Sequence, residues 1–518
     1  MERGARVANG ARKDELLRRL HDAEQRCARR KQSRPDAIAL RANRAERLIG
    51  LADQLAAGQW RPAPGLVFVT TRPKHREVHA ARYSDRVVHH LIVQDLAPAI
   101  DRRLCPNTFA CREGKGTHAA VRALRESMWS LSRHGKVRVW ALQMDVVNFF
   151  HTIDRERLWA LLQRPLREAV ATRDPPYDLA TAVRALLDDE PARRAARVGN
   201  PQAFARVPPH KRLSQQAPGR GLPIGNLTSQ WFANAYLAGL DAFVQRELGL
   251  GHYVRYMDDF VVLGTDAARL ERARAAIIAM LRERLGLAVH ASRPLQLASR
   301  GIDFCGAIIR PAYALPRRRV VAAWSERLQA AAAAIRPIVV EPGRTVGLAG
   351  FGRVAGPCAI WPLAGTALSN LRAAWASGAG CTRHARSRNL HSRMWRRTPA
   401  LGRFLARRRA PLALRHADAT AFSAGRVFSD WRSQRDHLLK LASGAVAIVR
   451  VGRNVELVRR RDCRRCAAGA PRFRWPYARL PAECSGRWVQ AALDGRNEVL
   501  LVGQLPGYHG RVRARAPL

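Results

Sequence analysis

The chain is 518 residues long, enough for two to four domains and for a core that needs no disulfide or metal staple. Ninety Lys and Arg against 41 Asp and Glu give a formal net charge of +49, which self-repels unless a polyanion neutralises it, and nucleic acid is the natural counterion. A hydrophobic fraction of 47% excludes wholesale disorder, and no window reaches the ~18 apolar residues that a membrane span requires. The basic N-terminus lacks the apolar stretch of a secretory signal, and nine unpatterned cysteines suit a reducing compartment. The expectation is a cytoplasmic protein without membrane contact.

In chain order, residues 1–66 alternate Leu/Ala with Arg/Lys at helical spacing (Leu16, Leu17, Leu20, then Leu48, Leu51, Leu55) and end at Pro62-Ala63-Pro64-Gly65. This predicts a basic helical lead-in. Over 67–320, short β-rich runs (LVFVTT, VRVWALQMDV, YVRYMDDFVVLG, FCGAII) alternate with helical stretches such as 266–285, which predicts an α+β layer. Residues 160–218 are rich in Pro, Arg and Ala and predict loops with one helix. Ala/Arg-rich helical texture is expected over 321–440, and a β-like run from Ala445 opens a last segment, 441–518.

Tyr253-Val254-Arg255-Tyr256-Met257-Asp258-Asp259-Phe260-Val261-Val262 reads as two apolar strands meeting at adjacent carboxylates. Two aspartates at a turn are an ordinary Asp-rich β-turn or, where a cation neutralises them, a metal site. A second strand, Leu142 to Val146, delivers Asp145 at its end and completes an oxygen ligand set for two hard divalent ions. Asp145 and Asp258 are the expected main ligands, with Asp259 supporting. One ion would lower the pKa of an attacking 3′-hydroxyl and the other would stabilise the leaving pyrophosphate, so the site predicts nucleotidyl transfer.

Between the acids, Gly219-Arg220-Gly221-Leu222-Pro223-Ile224-Gly225-Asn226 leads into apolar positions 233, 236, 237, 240 and 244 at helical spacing. Such a loop is either a plain turn and helix cap or a place where backbone approaches a base or sugar.

These three stretches, in this order, resemble motifs A, B and C of reverse transcriptases over roughly residues 67–310. FACREGKGTHAAV (109–121) and GIDFCGAII (301–309) resemble flanking blocks of that family. The resemblance implies a right-hand polymerase of fingers, palm and thumb, with a basic helical extension and a small α/β C-terminal domain. It implies a chain that makes DNA on an RNA template with two Mg²⁺ ions and dNTPs, bound to template RNA and cDNA. Asp145, Asp258 and Asp259 match the metal-binding aspartates, the Val146 backbone carbonyl completes the ligands, and Phe150 matches a steric gate against a ribose 2′-OH. Phe149 and Phe150 could both be core, but strand alternation makes one of them face the site.

Most reverse transcriptases read Gln-Gly and then Ser-Pro in motif B, whereas this chain has Ile224-Gly225 and Ser229-Gln230. That pattern is similar to reverse transcriptases of diversity-generating retroelements, which implies error-prone copying of template adenines. Ile cannot hydrogen-bond near an incoming nucleotide as Gln can, so polar discrimination weakens. Alternatively, Ile224 merely packs and fidelity is set elsewhere. Lys74, Arg76, Arg82 and Arg86 lie where the family holds the triphosphate, and Arg76 and Arg86 are favoured. Ser229, Gln230, Tyr256, Met257 and Arg293 are assigned to template and primer. Arg293 stands in the turn where the family carries Lys, and it could orient pyrophosphate but is a poor proton donor.

Trp395 and Phe404 interleave with an Arg run over 388–411, which fits either strand contacts or a solvated helix face. Residues 440–518 resemble the mismatch-sensing N-terminal domain of MutS proteins, with Asn454 where that family has Phe and with Glu456 retained. Cys463, Cys466 and Cys484 are read as free thiols rather than a zinc site, for want of a fourth ligand. The resemblance to reverse transcriptases of diversity-generating retroelements implies a small basic accessory protein as partner. Two other readings carry different expectations: a retron-like or host-defence reverse transcriptase, and a catalytically inactive nucleic-acid-binding scaffold.

Overall fold

The computed structural model describes residues 2–29, 35–71, 74–290, 293–335 and 365–407, and short strands between 338 and 363, at 414–416 and between 445 and 502. The chain divides into two units, residues 1–314 and 315–518.

In the first unit the lead-in folds as α1 (Glu2–Ala28), α2 (Pro35–Ala42) and α3 (Arg44–Ala56). Their Leu16, Leu20, Leu48, Leu51 and Leu55 are buried in one core with the residues that follow, so these helices share that core rather than forming their own. An antiparallel hairpin comes next, β1 (Leu66–Thr70) and β2 (Arg76–Ala80), with Thr70 across from Arg76. Helices α4 (Tyr83–Asp101) and α5 (Thr117–Leu131) lead to β3 (Trp140–Asp145) and a single helical turn, α6 (Phe149–Thr152).

The region expected as loops with one helix is more helical than that. It holds α7 (Arg155–Arg173), α8 (Leu179–Asp188), α9 (Pro191–Arg194), β4 (Ala196–Arg197) and α10 (Pro201–Ala205), with β4 adding a parallel edge to β1. Asp154 caps α7 by accepting from the Glu156 and Arg157 N–H groups, and Asp178 caps α8 through Thr181. Pro191 and Pro201 open their helices, where a missing N–H is no loss, while Pro175, Pro176 and Pro208 lie in connections.

The glycine-rich loop enters α11 (Leu227–Tyr236), followed by α12 (Ala238–Ala242). Next come β5 (Tyr253–Tyr256), β6 (Asp259–Gly264), α13 (Ala267–Leu285) behind its Asp266 cap, β7 (Gln296–Leu297) and the hairpin β8 (Ile302–Phe304) and β9 (Ala307–Ile309). The central sheet runs β5-β6-β3-β7, antiparallel throughout. Alternate side chains divide between two cores. Leu142, Met144, Phe260 and Val262 join the helical core, while Ala141, Val254, Val261 and Leu263 pack with α5, β8 and β9. A sheet covered on both faces explains why its strands read as nearly continuous apolar runs, and why polar residues stand out in them. This is the α+β layout expected from the sequence.

In the second unit, helices Arg318–Ala333, Gly365–Thr382 and Arg388–Arg396 bring Trp324, Trp375 and His391 together, and Trp395 lies edge-on to Trp375 with ring centroids 5.0 Å apart. Trp395 is half-buried in this contact, and the Phe404 side chain lies outside the described residues. The helical texture expected over 321–440 is interrupted by strands Ile338–Val340, Thr345–Leu348, Gly352–Ala355 and Cys358–Leu363. β-Branched residues between closely spaced Gly and Pro favour strands there. A six-stranded sheet joins 338–340 and 358–363 to 498–502, 445–451, 454–458 and 477–481, in that order. Asn454 begins one of these strands, and Cys463, Cys466 and Cys484 lie outside the described residues.

Candidate active site

Three carboxylates come from the end of β3, the turn after β5 and the start of β6. In the β3–β6 ladder Asp145 stands across from Asp259, and Asp258 occupies the two-residue turn that joins Tyr256 to Asp259. Met257, the first turn residue, has φ +60°. That conformation strains a side-chain-bearing residue, and strain of this kind persists only where the surroundings enforce it.

Asp258 carries a raised pKa of about 6, because burial disfavours its charge and the neighbouring Asp145 carboxyl, with which it hydrogen-bonds, adds to this; Arg76 opposes it. Asp259 is raised to about 7, first by burial and then by Asp145, against a hydrogen bond from Gln143 and the charge of Arg293. The Gln143 Nε2 donates to Asp259 Oδ1 at 3.0 Å and to the Asp303 carbonyl at 2.9 Å, so Asp259 is tethered to a neutral amide. Among the described residues, no three His, Cys, Asp or Glu are grouped so that they could hold a metal by themselves. A pair of carboxylates nevertheless suits Mg²⁺, which takes one or two carboxylates and fills its shell with water and substrate phosphate.

Val146 is bridged to Val289 by two bonds that flank it: the His290 N–H donates to the Asp145 carbonyl at 3.0 Å and the Val147 N–H to the Ala288 carbonyl at 2.8 Å. In such a pair the bridged residue's own N–H and C=O point away from its partner, so the Val146 carbonyl faces the β6 side, where Asp258 sits.

The loop before α11 is fastened on two sides. The Leu222 N–H donates to the Phe150 carbonyl (2.7 Å), and the His79 N–H of β2 donates to the Ile224 carbonyl (2.7 Å). Gly225, at φ +122°, lies so close to β2 that a Cβ there would stand 2.8 Å from the His79 carbonyl oxygen. These bonds place Phe150, Ile224 and Gly225 beside the strand that begins with Arg76. Phe149 is buried and Phe150 half-buried, but in a helical turn rather than a strand, so helix geometry rather than strand alternation separates them.

Arg86 is not drawn to the carboxylates; it lies on α4 and pairs with Asp36 of α2 at 3.9 Å. Arg82 donates to the Pro64 carbonyl (2.9 Å). Ser229 is buried within α11, and Gln230 accepts a bond from the Cys111 thiol at 3.1 Å. Tyr256 and Met257 are half-buried beside the turn. A cleft next to Asp145 is lined by Lys74, Gln143, Arg274, His290 and Arg293, and Arg274 donates to the Arg293 carbonyl at 3.2 Å. Gln143 and Arg274 were missed in the sequence. Gln143 shares the parity of Asp145 in an otherwise apolar strand, a signal that marked it; Arg274 is one of many arginines on α13 and carried none.

Residues 70–309 match the family described as reverse transcriptase (RNA-dependent DNA polymerase). The match lies within the first unit and spans less than half of the chain. No curated protein matches the chain. Among solved structures it is similar to apo telomerase from Candida tropicalis truncated from its C-terminal domain, at 10% identity over 49% of this chain and 55% of that one, with a TM-score of 0.35. It is also similar to telomerase from Candida albicans in complex with a TWJ fragment of telomeric RNA, at 10% identity over 51% and 50%, with a TM-score of 0.33. The chain spans about half the length of these solved chains.

Proposed function

We propose that this chain, which carries a reverse transcriptase domain, adds dNTPs to a primer 3′-OH on an RNA template, in the manner of a diversity-generating retroelement and with frequent error at template adenines. The observation that supports the chemistry most directly is the approach of the Asp145 and Asp258 carboxyls, one at the end of β3 and one in the β5–β6 turn, where Asp145 helps to keep the proton on Asp258. Asp145, Asp258 and the Val146 carbonyl would hold Mg²⁺, with Asp259 in support from its bond to Gln143. Two such ions, when bound, would activate the 3′-hydroxyl and neutralise the leaving pyrophosphate.

The chain's own residues do the rest. Arg76 lies near enough to Asp258 to oppose its raised pKa, and from there its guanidinium can fork onto triphosphate oxygens. Arg293 and Lys74 line the cleft beside Asp145 and offer positive charge to the pyrophosphate. Phe150, half-buried at the loop's edge, limits room at the sugar. Ile224 and Gly225 approach the same space with a carbonyl already bonded to β2 and an apolar side chain, so the incoming base meets no side-chain hydrogen bond from Ile224. The excess of basic residues suits an RNA–DNA duplex as counterion. A small basic accessory protein is a further proposed partner.

Primer extension on an RNA template with Mg²⁺ tests the reading. The native chain is expected to extend and the Asp258→Ala/Asp259→Ala chain is not; equal products from both would remove the enzymatic reading. Sequencing the cDNA tests the subtype: errors concentrated at template adenines support it, and a uniformly low error rate overturns it.

A further inference from the structure

Arg255 is fully buried one residue before Tyr256, a position that no direct part of the chemistry uses. Its Nε and Nη2 donate to the two carboxylate oxygens of Asp241 at 2.7 and 2.8 Å, and its Nη1 donates to the Asn234 side-chain oxygen (3.2 Å) and to the Met257 carbonyl (3.1 Å). Asp241 also accepts from the Tyr253 hydroxyl (2.9 Å) and the Thr108 hydroxyl (2.7 Å). Asn234 in turn donates to the Ala110 carbonyl at 2.8 Å. The backbone joins in: the Arg255 N–H donates to the Asn107 carbonyl and the Phe109 N–H to the Arg255 carbonyl, each at 3.0 Å.

A buried guanidinium is a poor source of stability, since an apolar replacement of similar volume is often as stable. What this one does that an apolar side chain cannot is hold a backbone carbonyl in the strained Met257–Asp258 turn. The bidentate grip on Asp241 fixes the plane of the guanidinium, so the arm that reaches Met257 has one direction. Asp241 and Asn234 come from α12 and α11, and Thr108 from the segment after α4, so three elements aim a single bond at the residue before Asp258.

We propose that Arg255, oriented by Asp241, Asn234 and Thr108, is a positioning residue that sets the Met257–Asp258 turn and thereby the placement of the Asp258 carboxylate. This rests on the polymerase reading above. Arg255→Lys keeps a charge for Asp241 but has one ammonium in place of the planar fork, and cannot serve Asp241 and the Met257 carbonyl in the same geometry. Thr108→Val removes one donor from Asp241 and leaves Arg255 in place.

The full chain and each variant are compared for melting temperature, template–primer affinity, Mn²⁺ binding by the EPR signal of the free ion, and primer-extension kinetics. Expected for Arg255→Lys is a kcat lower by about 10- to 100-fold, the range for groups that act through a ligand. Template–primer affinity and the dNTP KM stay within about twofold, and Mn²⁺ binding weakens in step with kcat. If Arg255→Lys does not fold, Thr108→Val carries the test, with a smaller loss of kcat and of Mn²⁺ affinity at unchanged template–primer affinity. A folded Arg255→Lys, or in its place Thr108→Val, with native kcat and Mn²⁺ affinity overturns the proposal, as does a loss that merely tracks the unfolded fraction. A native chain that neither binds Mn²⁺ nor extends a primer overturns the polymerase reading instead.

Discussion

Asp145 faces Asp259 across the β3–β6 ladder, yet the carboxyl it hydrogen-bonds belongs to Asp258, one residue back in the turn. Adjacent aspartates are therefore unequal. Asp258 looks toward Asp145, while Asp259 is occupied by Gln143 at 3.0 Å. Asp145→Asn and Asp258→Asn are expected to lower primer-extension kcat on the order of 10³-fold or more, the scale for removing a group that acts directly on developing charge. Asp259→Asn is expected to lower it about 10- to 100-fold, as for a supporting partner. Single-turnover extension on one template distinguishes the three, and equal losses would remove the division of labour.

The same carboxylates link stability to pH and to Mg²⁺. In the folded chain Asp258 and Asp259 are raised to about 6 and about 7, above the ordinary carboxylate range, so the folded state holds their protons more tightly than the unfolded state. Their contribution is favourable at low pH and is lost as pH rises through those folded values, because two half-buried charges then stand near Asp145. A divalent cation compensates only once they are ionised. The rise in melting temperature on adding Mg²⁺ should accordingly be larger at pH 8 than at pH 5, and Asp258→Asn should abolish most of the difference. A Mg²⁺ effect independent of pH would show that the ion stabilises the chain elsewhere.

Gly225 tests how tightly the loop before α11 is held. Its φ of +122° is unfavourable for any side chain, and an added methyl would meet the His79 carbonyl oxygen and Val78 Cγ1, both at 2.8 Å. Strand β2 is paired along its length with β1 and has little freedom to retreat. Gly225→Ala should cost about 1–3 kcal/mol in urea unfolding and raise the dNTP KM, since the loop must lift from β2. Unchanged stability and KM would mean that the loop adapts freely.

Much of this was legible because the central sheet is covered on both faces. Strand runs with a polar residue at one end announced β3, β5 and β6, and the Asp145/Asp258 encounter followed from placing acids at strand ends. What stayed hidden depended on partners distant in sequence. Arg86 was one basic residue among many, and only the fold shows it paired with Asp36. Strand alternation does not separate Phe149 from Phe150, because the chain turns helical straight after Asn148, at φ +47°. The buried Arg255 was visible as a charge inside an apolar strand, yet its meaning lies in Asp241, 14 positions earlier. In the 160–218 region composition does not tell a proline that opens a helix, such as Pro191 or Pro201, from one in a connection, such as Pro175.

Ile224 carries the prediction on fidelity. Its carbonyl is committed to the His79 N–H at 2.7 Å, and its neighbour Gly225 is pressed against β2, so the backbone at this position is fixed and the side chain is the variable element. A half-buried isoleucine offers shape without a hydrogen bond, and apolar contact alone separates similar ligands by only about 1–3 kcal/mol. Ile224→Gln restores a donor and an acceptor at nearly the same length without disturbing the β2 bond. Misincorporation at template adenines is expected to fall several-fold, with smaller change at the other template bases, as read by sequencing cDNA copied from one RNA. Native kcat with an unaltered error spectrum would show that Ile224 only packs and that discrimination is set by other residues. A general loss of kcat with an unaltered spectrum would place Ile224 in loop positioning rather than base selection. Because the backbone bond to His79 is common to both variants, a change confined to adenines has the side chain as its source.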